Sequence, residues 1–264
     1  MALSRPPFAH RIYLATTFAL AGLAISAAPS RADAFKVSFE APGVQSANRA
    51  ALCAIIGTGT CTIGVETFDS QPSRLSFSTD FGTGGVIKGA YSPVQINAAD
   101  QFGGAGGIGQ YPVAFSDAPY KVDLTTSQPA GINYFGFWLS ALDLGNQVSF
   151  YRNGNDIYDF TPASLTALVG ACPNSTNPYC GNPNSGAEKN QPFAFLNFFD
   201  TAGTFDSVHF NESPAGGGYE SDNHTVGYVT AQGSVEVPEP ASLTIMGGAL
   251  TIFAGIGAIC RRRT

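Results

Sequence analysis

Ile132-Asn133-Tyr134-Phe135-Gly136-Phe137-Trp138-Leu139 carries apolar groups on both faces of an extended backbone. Successive side chains of a strand point to opposite sides, so Ile132, Tyr134 and Trp138 share one face while Phe135, Phe137 and Leu139 share the other. A segment apolar on both sides is a central, covered strand rather than an edge. Downstream, Val148-Ser149-Phe150-Tyr151-Arg152 and Ile157-Tyr158-Asp159-Phe160 flank Asn153-Gly154. Asn-Gly between two alternating runs predicts a hairpin, because both residues tolerate the positive φ of a type I′ turn. The run 192–199 is again apolar on both sides, 205–210 and 225–231 read as closing strands, and Lys36-Val37-Ser38-Phe39-Glu40 reads as an opening one. One helical turn is expected over 162–169, with Thr161 as N-cap and Pro162 at the first position. With 31 Gly and 17 Pro as punctuation, these short strands predict an all-β fold, an antiparallel two-sheet sandwich of jelly-roll type.

The strands fill the middle of the chain, and both ends read as addresses. Arg5, His10 and Arg11 precede an apolar stretch over 12–28, and Ala32-Asp33-Ala34 supplies small residues at the first and third positions before a cut. Residues 1–34 therefore predict a signal peptide, cleaved between Ala34 and Phe35, with signal peptidase and the export machinery as partners. At the other end, Val237-Pro238-Glu239-Pro240-Ala241-Ser242 leads into an uncharged apolar run over 243–260, then Arg261-Arg262-Arg263 and Thr264. At 1.5 Å per residue that run spans roughly 27 Å, enough to cross a thin hydrocarbon layer as a transmembrane helix. The arginines would stay on the cytoplasmic side.

This three-part tail, 237–264, resembles the PEP-CTERM sorting signal of bacterial surface proteins. The resemblance implies that Pro238, Glu239 and Pro240 are read, with the helix and the basic stop, by an exosortase, a membrane transpeptidase-like enzyme. A plain C-terminal anchor shares the helix and stop, with Pro-Glu-Pro as a stiff linker. A second resemblance spans the domain between the signals, 35–236. Ala98-Ala99-Asp100-Gln101-Phe102-Gly103-Gly104-Ala105-Gly106-Gly107, Ile132-Asn133-Tyr134-Phe135-Gly136, Tyr179-Cys180-Gly181-Asn182-Pro183-Asn184, Ala194-Phe195-Leu196-Asn197-Phe198-Phe199 and Glu220-Ser221-Asp222-Asn223-His224-Thr225-Val226 are similar to a family of exosortase-dependent bacterial surface proteins. It implies a location, transient anchoring in the inner membrane and then the cell surface or extracellular matrix, and no activity.

Charge excludes one class of partner. Of the 13 Lys and Arg, six lie in the terminal segments, and of the 19 Asp and Glu, two do, leaving seven against 17 and a formal charge of −10 for 35–236. Such a surface repels nucleic acid and suits neutral polysaccharide, cations or plain solubility. Cys53, Cys61, Cys172 and Cys180 are an even set within the exported stretch, in two pairs eight positions apart. Three connectivities exist, and the equal short spacing favours Cys53 with Cys61 and Cys172 with Cys180. A zinc site is disfavoured because its ligands come in tighter pairs.

Enzyme signatures are scarce. Gly104-Ala105-Gly106-Gly107-Ile108-Gly109 matches G-x-G-x-x-G, but no apolar strand leads into it and no helix follows, so it reads as a loop. His209 and His224 lack a G-x-S-x-G elbow; His209 falls in a strand and His224, beside Glu220 and Asp222, at a loop-to-strand junction. No carboxylate pair stands out among the 17 as a glycosidase couple. Tyr111, Tyr120, Tyr219 and Tyr228 are candidates to stack on sugar rings. If first and last strands lie side by side, Glu40 meets Glu220, Asp222 and Asn223, an oxygen set that suits calcium. The expected function is binding or structure rather than catalysis, with polysaccharide as ligand class. The competing expectation is a secreted carbohydrate-active enzyme on the same scaffold.

Overall fold

A computed structural model describes residues 34–56, 61–73, 75–214 and 216–230. The expected signal peptide up to Asp33, including Ala32, and the sorting tail, including Pro238, Glu239, Pro240, Arg261, Arg262 and Arg263, lie outside the described residues, and Ala34 is the first residue described. Among the described residues no helix is long and apolar enough to cross a membrane.

The chain folds as β1 (Phe35–Phe39), α1 (Arg49–Ile56), β2 (Ile63–Glu66), β3 (Leu75–Thr79), β4 (Ile87–Ala98), β5 (Gln110–Ala114), β6 (Tyr120–Thr126), β7 (Tyr134–Ser140), β8 (Asn146–Arg152), β9 (Asn155–Phe160), α2 (Pro162–Val169), β10 (Ala194–Asp200), β11 (Ser207–Glu212) and β12 (Tyr219–Gly227). All pairings are antiparallel, in the order β1-β10-β7-β12-β5-β4-β6-β11-β8-β9, with β2 beside β12 and β3 beside β4. The all-β antiparallel expectation holds, but the two sheets are halves of one continuous sheet. Strand β4, 12 residues long, serves both: 87–92 pair with β6 and 95–98 with β5. Pro93 sits between these two stretches, where a residue without an N–H removes no ladder bond.

The sheet curls into a nearly closed barrel. Strands β1 and β9 end the hydrogen-bonded path, yet Phe35 of β1 stacks on Tyr158 of β9 with ring centroids 4.3 Å apart and planes 4° from parallel. Phe150 and Phe205 pack beside this seam. Closure is thus by aromatic packing, and the edges that would otherwise invite pairing with another chain are shielded.

Strand β7 runs between β10 and β12, as its two-sided apolarity predicts. Phe135, Phe137 and Leu139 point into the main core. On the other side Tyr134 packs with Leu52, Phe199 and Val229, and Trp138 with Phe193 and Phe195. Ile132 departs from the expectation: it precedes the strand and joins the main core. Asn153 and Gly154 take φ of 50° and 76° in the β8–β9 turn, as a type I′ hairpin requires. Helix α2 starts at Pro162 after Thr161, as expected, whereas α1 was not expected; its first turn is capped by the Asn48 side chain, which accepts from the Ala51 amide at 3.0 Å.

Two disulfides are present, Cys53–Cys61 with a Cα separation of 5.3 Å and Cys172–Cys180 with 5.7 Å. The first ties α1 to the segment entering β2, and the second closes the loop after α2. Each ring is short, so the chain-entropy argument gives about 2–3 kcal/mol apiece. We expect non-reducing peptide mapping to recover these two pairs, and Cys172→Ala with Cys180→Ala to lower unfolding free energy by that amount. A mapped link between Cys53 and Cys172 or Cys180 would overturn the pairing.

Candidate functional site

Two bulges decide which polar side chains meet. The first lies in β12, where register against β7 shifts between Asp222 and Thr225. Asn223, at φ 50°, is the extra residue, so Ser221 and His224 both turn into the barrel although three positions separate them. His224 Nε2 lies 3.0 Å from Ser221 Oγ, its Nδ1 lies 2.9 Å from the Tyr91 hydroxyl, and Tyr120 bonds Ser221 Oγ at 2.7 Å. The imidazole is wholly buried, stacked on Phe210 and flanked by the rings of Phe68, Phe135 and Phe137. Burial holds its pKa well below the usual imidazole range and pushes the Tyr91 and Tyr120 phenols up. The ring is therefore neutral, with one nitrogen donating and the other accepting. Ser221 is also fully buried, so this serine–histidine contact is a satisfied core network beyond the reach of a substrate, and His224 stands mid-strand rather than at the junction expected.

The second bulge builds a surface groove. In β9 the register against β8 shifts between Phe150 and Tyr151: Phe150 faces Tyr158, and Tyr151 faces Asp156. Ile157 is the extra residue, and Asp156 and Asp159 come to one side while Tyr158 turns inward to the seam. Both carboxylates line an open groove of about 540 Å³ on the outer face of β6, β11, β8 and β9. Its floor is an aromatic pair, Tyr151 stacked on His209 with ring centroids 4.1 Å apart. Gln147 and Asn211 add amides along the rim. Ser149 donates to Asp159, and Ser207 donates to Asp123 at 2.9 Å, which also meets Lys121 Nζ at 2.7 Å.

Electrostatics make this groove a receiver of neutral polar groups. Partial burial, then the Lys121 ammonium, lowers the His209 pKa, so the ring carries no charge at neutral pH. Partial burial and then the neighbouring Asp159 carboxylate raise the Asp156 carboxyl. Flat rings beside carboxylates, amides and hydroxyls can stack on the apolar face of a sugar and accept from its hydroxyls.

The remaining candidates are scattered. Tyr111, Tyr120 and Tyr219 are buried in the fold, which removes them as surface stackers, while Tyr228 is half-buried. The set proposed for calcium is not assembled: β1 pairs with β10, and β10 and β7 separate it from β12. Glu40 instead accepts from Asn197 Nδ2 at 3.0 Å. Asp222 accepts from the amides of Ala105 at 2.7 Å and Asn223 at 2.6 Å, and the Asn223 side chain donates to the Gln45 carbonyl at 2.7 Å. Burial pushes the Asp222 carboxyl up to about 7 and the Glu220 carboxyl up to about 8. Among the described residues no three His, Cys, Asp or Glu side chains gather as a metal set. The 104–109 glycine run is a loop with a short 3₁₀ turn at Ala105–Gly107, leading directly into β5.

No family model, curated protein or solved structure matches this chain. Sequence reading missed the groove's floor, although Tyr151 and His209 alternate outward in strands it had placed; no spacing along the chain says that those two strands reach the same face through β11–β8 pairing.

Proposed function

We propose that the chain is an exported, exosortase-processed protein of the cell surface or extracellular matrix that binds neutral polysaccharide in the β9-edge groove. The observation that carries this reading is the Tyr151–His209 platform with Asp156, Asp159, Gln147 and Asn211 around it. The frame for this role is the nearly closed barrel-like sheet whose two halves share β4. Two disulfides are compatible with an oxidising compartment, in keeping with export.

The carboxylates support binding over hydrolysis. A glycosidase couple stands about 5–5.5 Å or 6.5–9.5 Å apart, flanking the scissile bond. Asp156 and Asp159 both come from β9, on one side of the groove, and no carboxylate of another strand faces them among the residues that line it, so they do not flank a bond from two sides. A glycan array combined with a polysaccharide-hydrolysis screen tests the proposal: binding without turnover is expected. Reducing ends released in proportion to protein would replace it with the carbohydrate-active enzyme reading.

Processing is tested separately. Signal peptidase and exosortase together should yield a species that begins at Phe35 and ends close to Pro238-Glu239-Pro240, without residues 243–264. Intact-mass measurement on the surface fraction of the native host reads this directly. A surface form still carrying Arg261, Arg262 and Arg263 would reduce the tail to a simple anchor.

A further inference from the structure

Buried polar atoms without a hydrogen-bond partner gather at one end of the barrel, where β7 passes into β8 and β11 into β12. They are Ser140 Oγ, Asn146 Nδ2, Gln191 Oε1, both carboxylate oxygens of Glu212, and Glu220 Oε2. The pairing register places them together: Glu212 lies opposite Asn146, and Glu220 opposite Ser140. Glu212, Ser140 and Asn146 are essentially inaccessible to solvent. The Gly216 and Gly217 amides lean towards the Glu212 carboxylate, yet neither oxygen makes a well-formed hydrogen bond. A buried carboxylate so poorly satisfied is costly to hold, so this one calls for a counter-charge.

The surroundings are oxygen-rich. Gly145 lies against Glu212 Oε1 and the Pro214 carbonyl so closely that a Cβ there would come within 2.5 Å and 2.2 Å of them. Gly217 lies against Asp143 Oδ2 in the same way, at 1.9 Å. Gln191 Nε2 donates to Asp143 Oδ1 at 2.7 Å, which leaves the Gln191 amide oxygen beside the cluster. Only glycine permits the carboxylates to approach the two turns this closely.

We propose that this end of the barrel binds one calcium ion, with Glu212 as the anchoring ligand, Asp143 as the second carboxylate, and the Gln191 amide oxygen and Pro214 carbonyl as neutral ligands. Calcium accepts such a mixture of carboxylate and carbonyl oxygens, six to eight in all with waters, and does not need three acidic side chains around one point. Zinc would call for nitrogen or sulfur ligands that this cluster lacks. The ion would bridge the β7–β8 loop to Pro214, neutralising Glu212 and fixing the two at the barrel mouth.

The test is isothermal titration calorimetry and thermal melting of the full chain, dialysed against chelator and then titrated with calcium chloride to about 10 mM, roughly tenfold above the range of weak extracellular sites. We expect one ion per chain, a higher melting temperature on binding, and at least tenfold weaker binding in both Glu212→Gln and Asp143→Asn. Asp222→Asn and Glu40→Gln should bind as the parent does. Absence of both heat and a melting shift at the top concentration overturns the site, as does parent-like binding in Glu212→Gln. Should Glu212→Gln not fold, Asp143→Asn, on a half-buried loop residue, decides by the same criterion.

Discussion

His224→Ala is expected to destabilise the folded chain by about 3–5 kcal/mol, the range for deleting a large ring from a packed core. The imidazole fills a space walled by Phe68, Phe135, Phe137 and Phe210, so truncation opens a cavity among groups that cannot collapse independently. It also strips the Tyr91 hydroxyl of its bond to Nδ1 and Ser221 of its bond to Nε2. His224→Phe separates the two effects. It restores volume, and Ser221 keeps Tyr120, so the remaining loss is chiefly one orphaned phenol, about 1–3 kcal/mol. Denaturant unfolding of the two variants should rank them in that order, and a loss below about 1 kcal/mol for His224→Ala would show that the network does not hold the core.

The same residue makes stability depend on pH in a defined direction. Its folded pKa lies below the unfolded value, so the unfolded chain binds the proton first as pH falls. The neutral ring's contribution is fully present above about pH 6.5 and is lost below it, with a slope of up to about 1.4 kcal/mol per pH unit. Tyr91 and Tyr120 face the ring and stay protonated throughout this range; Glu66, opposite on β2, is engaged by the Phe68 amide and Gln71. Glu220 and Asp222 act the other way. Their raised values give stability that is present at low pH and lost as pH rises through about 8 and about 7. The contrast to measure is therefore parent minus His224→Phe: the parent's advantage should shrink steadily from pH 6.5 downwards, and a pH-independent difference would contradict a neutral buried imidazole.

What the sequence disclosed were features that depend on near neighbours in the chain. Two-sided apolarity made β7 central, Asn153-Gly154 made a hairpin, Thr161-Pro162 opened α2, and equal cysteine spacing favoured the local bridges. Asn48 ahead of an alanine-rich run is a readable cap for α1 as well. The bulges were not readable. Strict alternation puts Ser221 and His224 on opposite faces, and likewise Asp156 and Asp159; one extra residue in each strand reverses both relations. The polar string 220–223 resembles a turn because its partners come from afar: Ala105 for Asp222 and Gln45 for Asn223. The adjacency of first and last strands failed for a similar reason, since β10 and β7, distant in sequence, insert between them.

Tyr151→Ala should weaken polysaccharide binding at least tenfold while leaving the fold intact. The ring is half-buried on the outer face of the sheet, so its removal affects no core contact comparable to those of Phe150 beside it. A tenfold loss corresponds to about 1.4 kcal/mol, within the range for one aromatic stacking contact. His209→Ala should act in the same direction by freeing the Tyr151 ring from its 4.1 Å stack, which costs orientation rather than contact area. Asp159→Asn removes a hydroxyl acceptor but keeps the shape, and it also relieves Asp156 of its neighbour's charge. A smaller loss is therefore expected there. The pattern distinguishes a sugar platform from a patch that binds through charge. Parallel losses in Tyr151→Ala and His209→Ala, little changed between low and high salt, fit stacking on a neutral ring. Undiminished binding in Tyr151→Ala, or binding that salt abolishes, would place the ligand elsewhere on the surface.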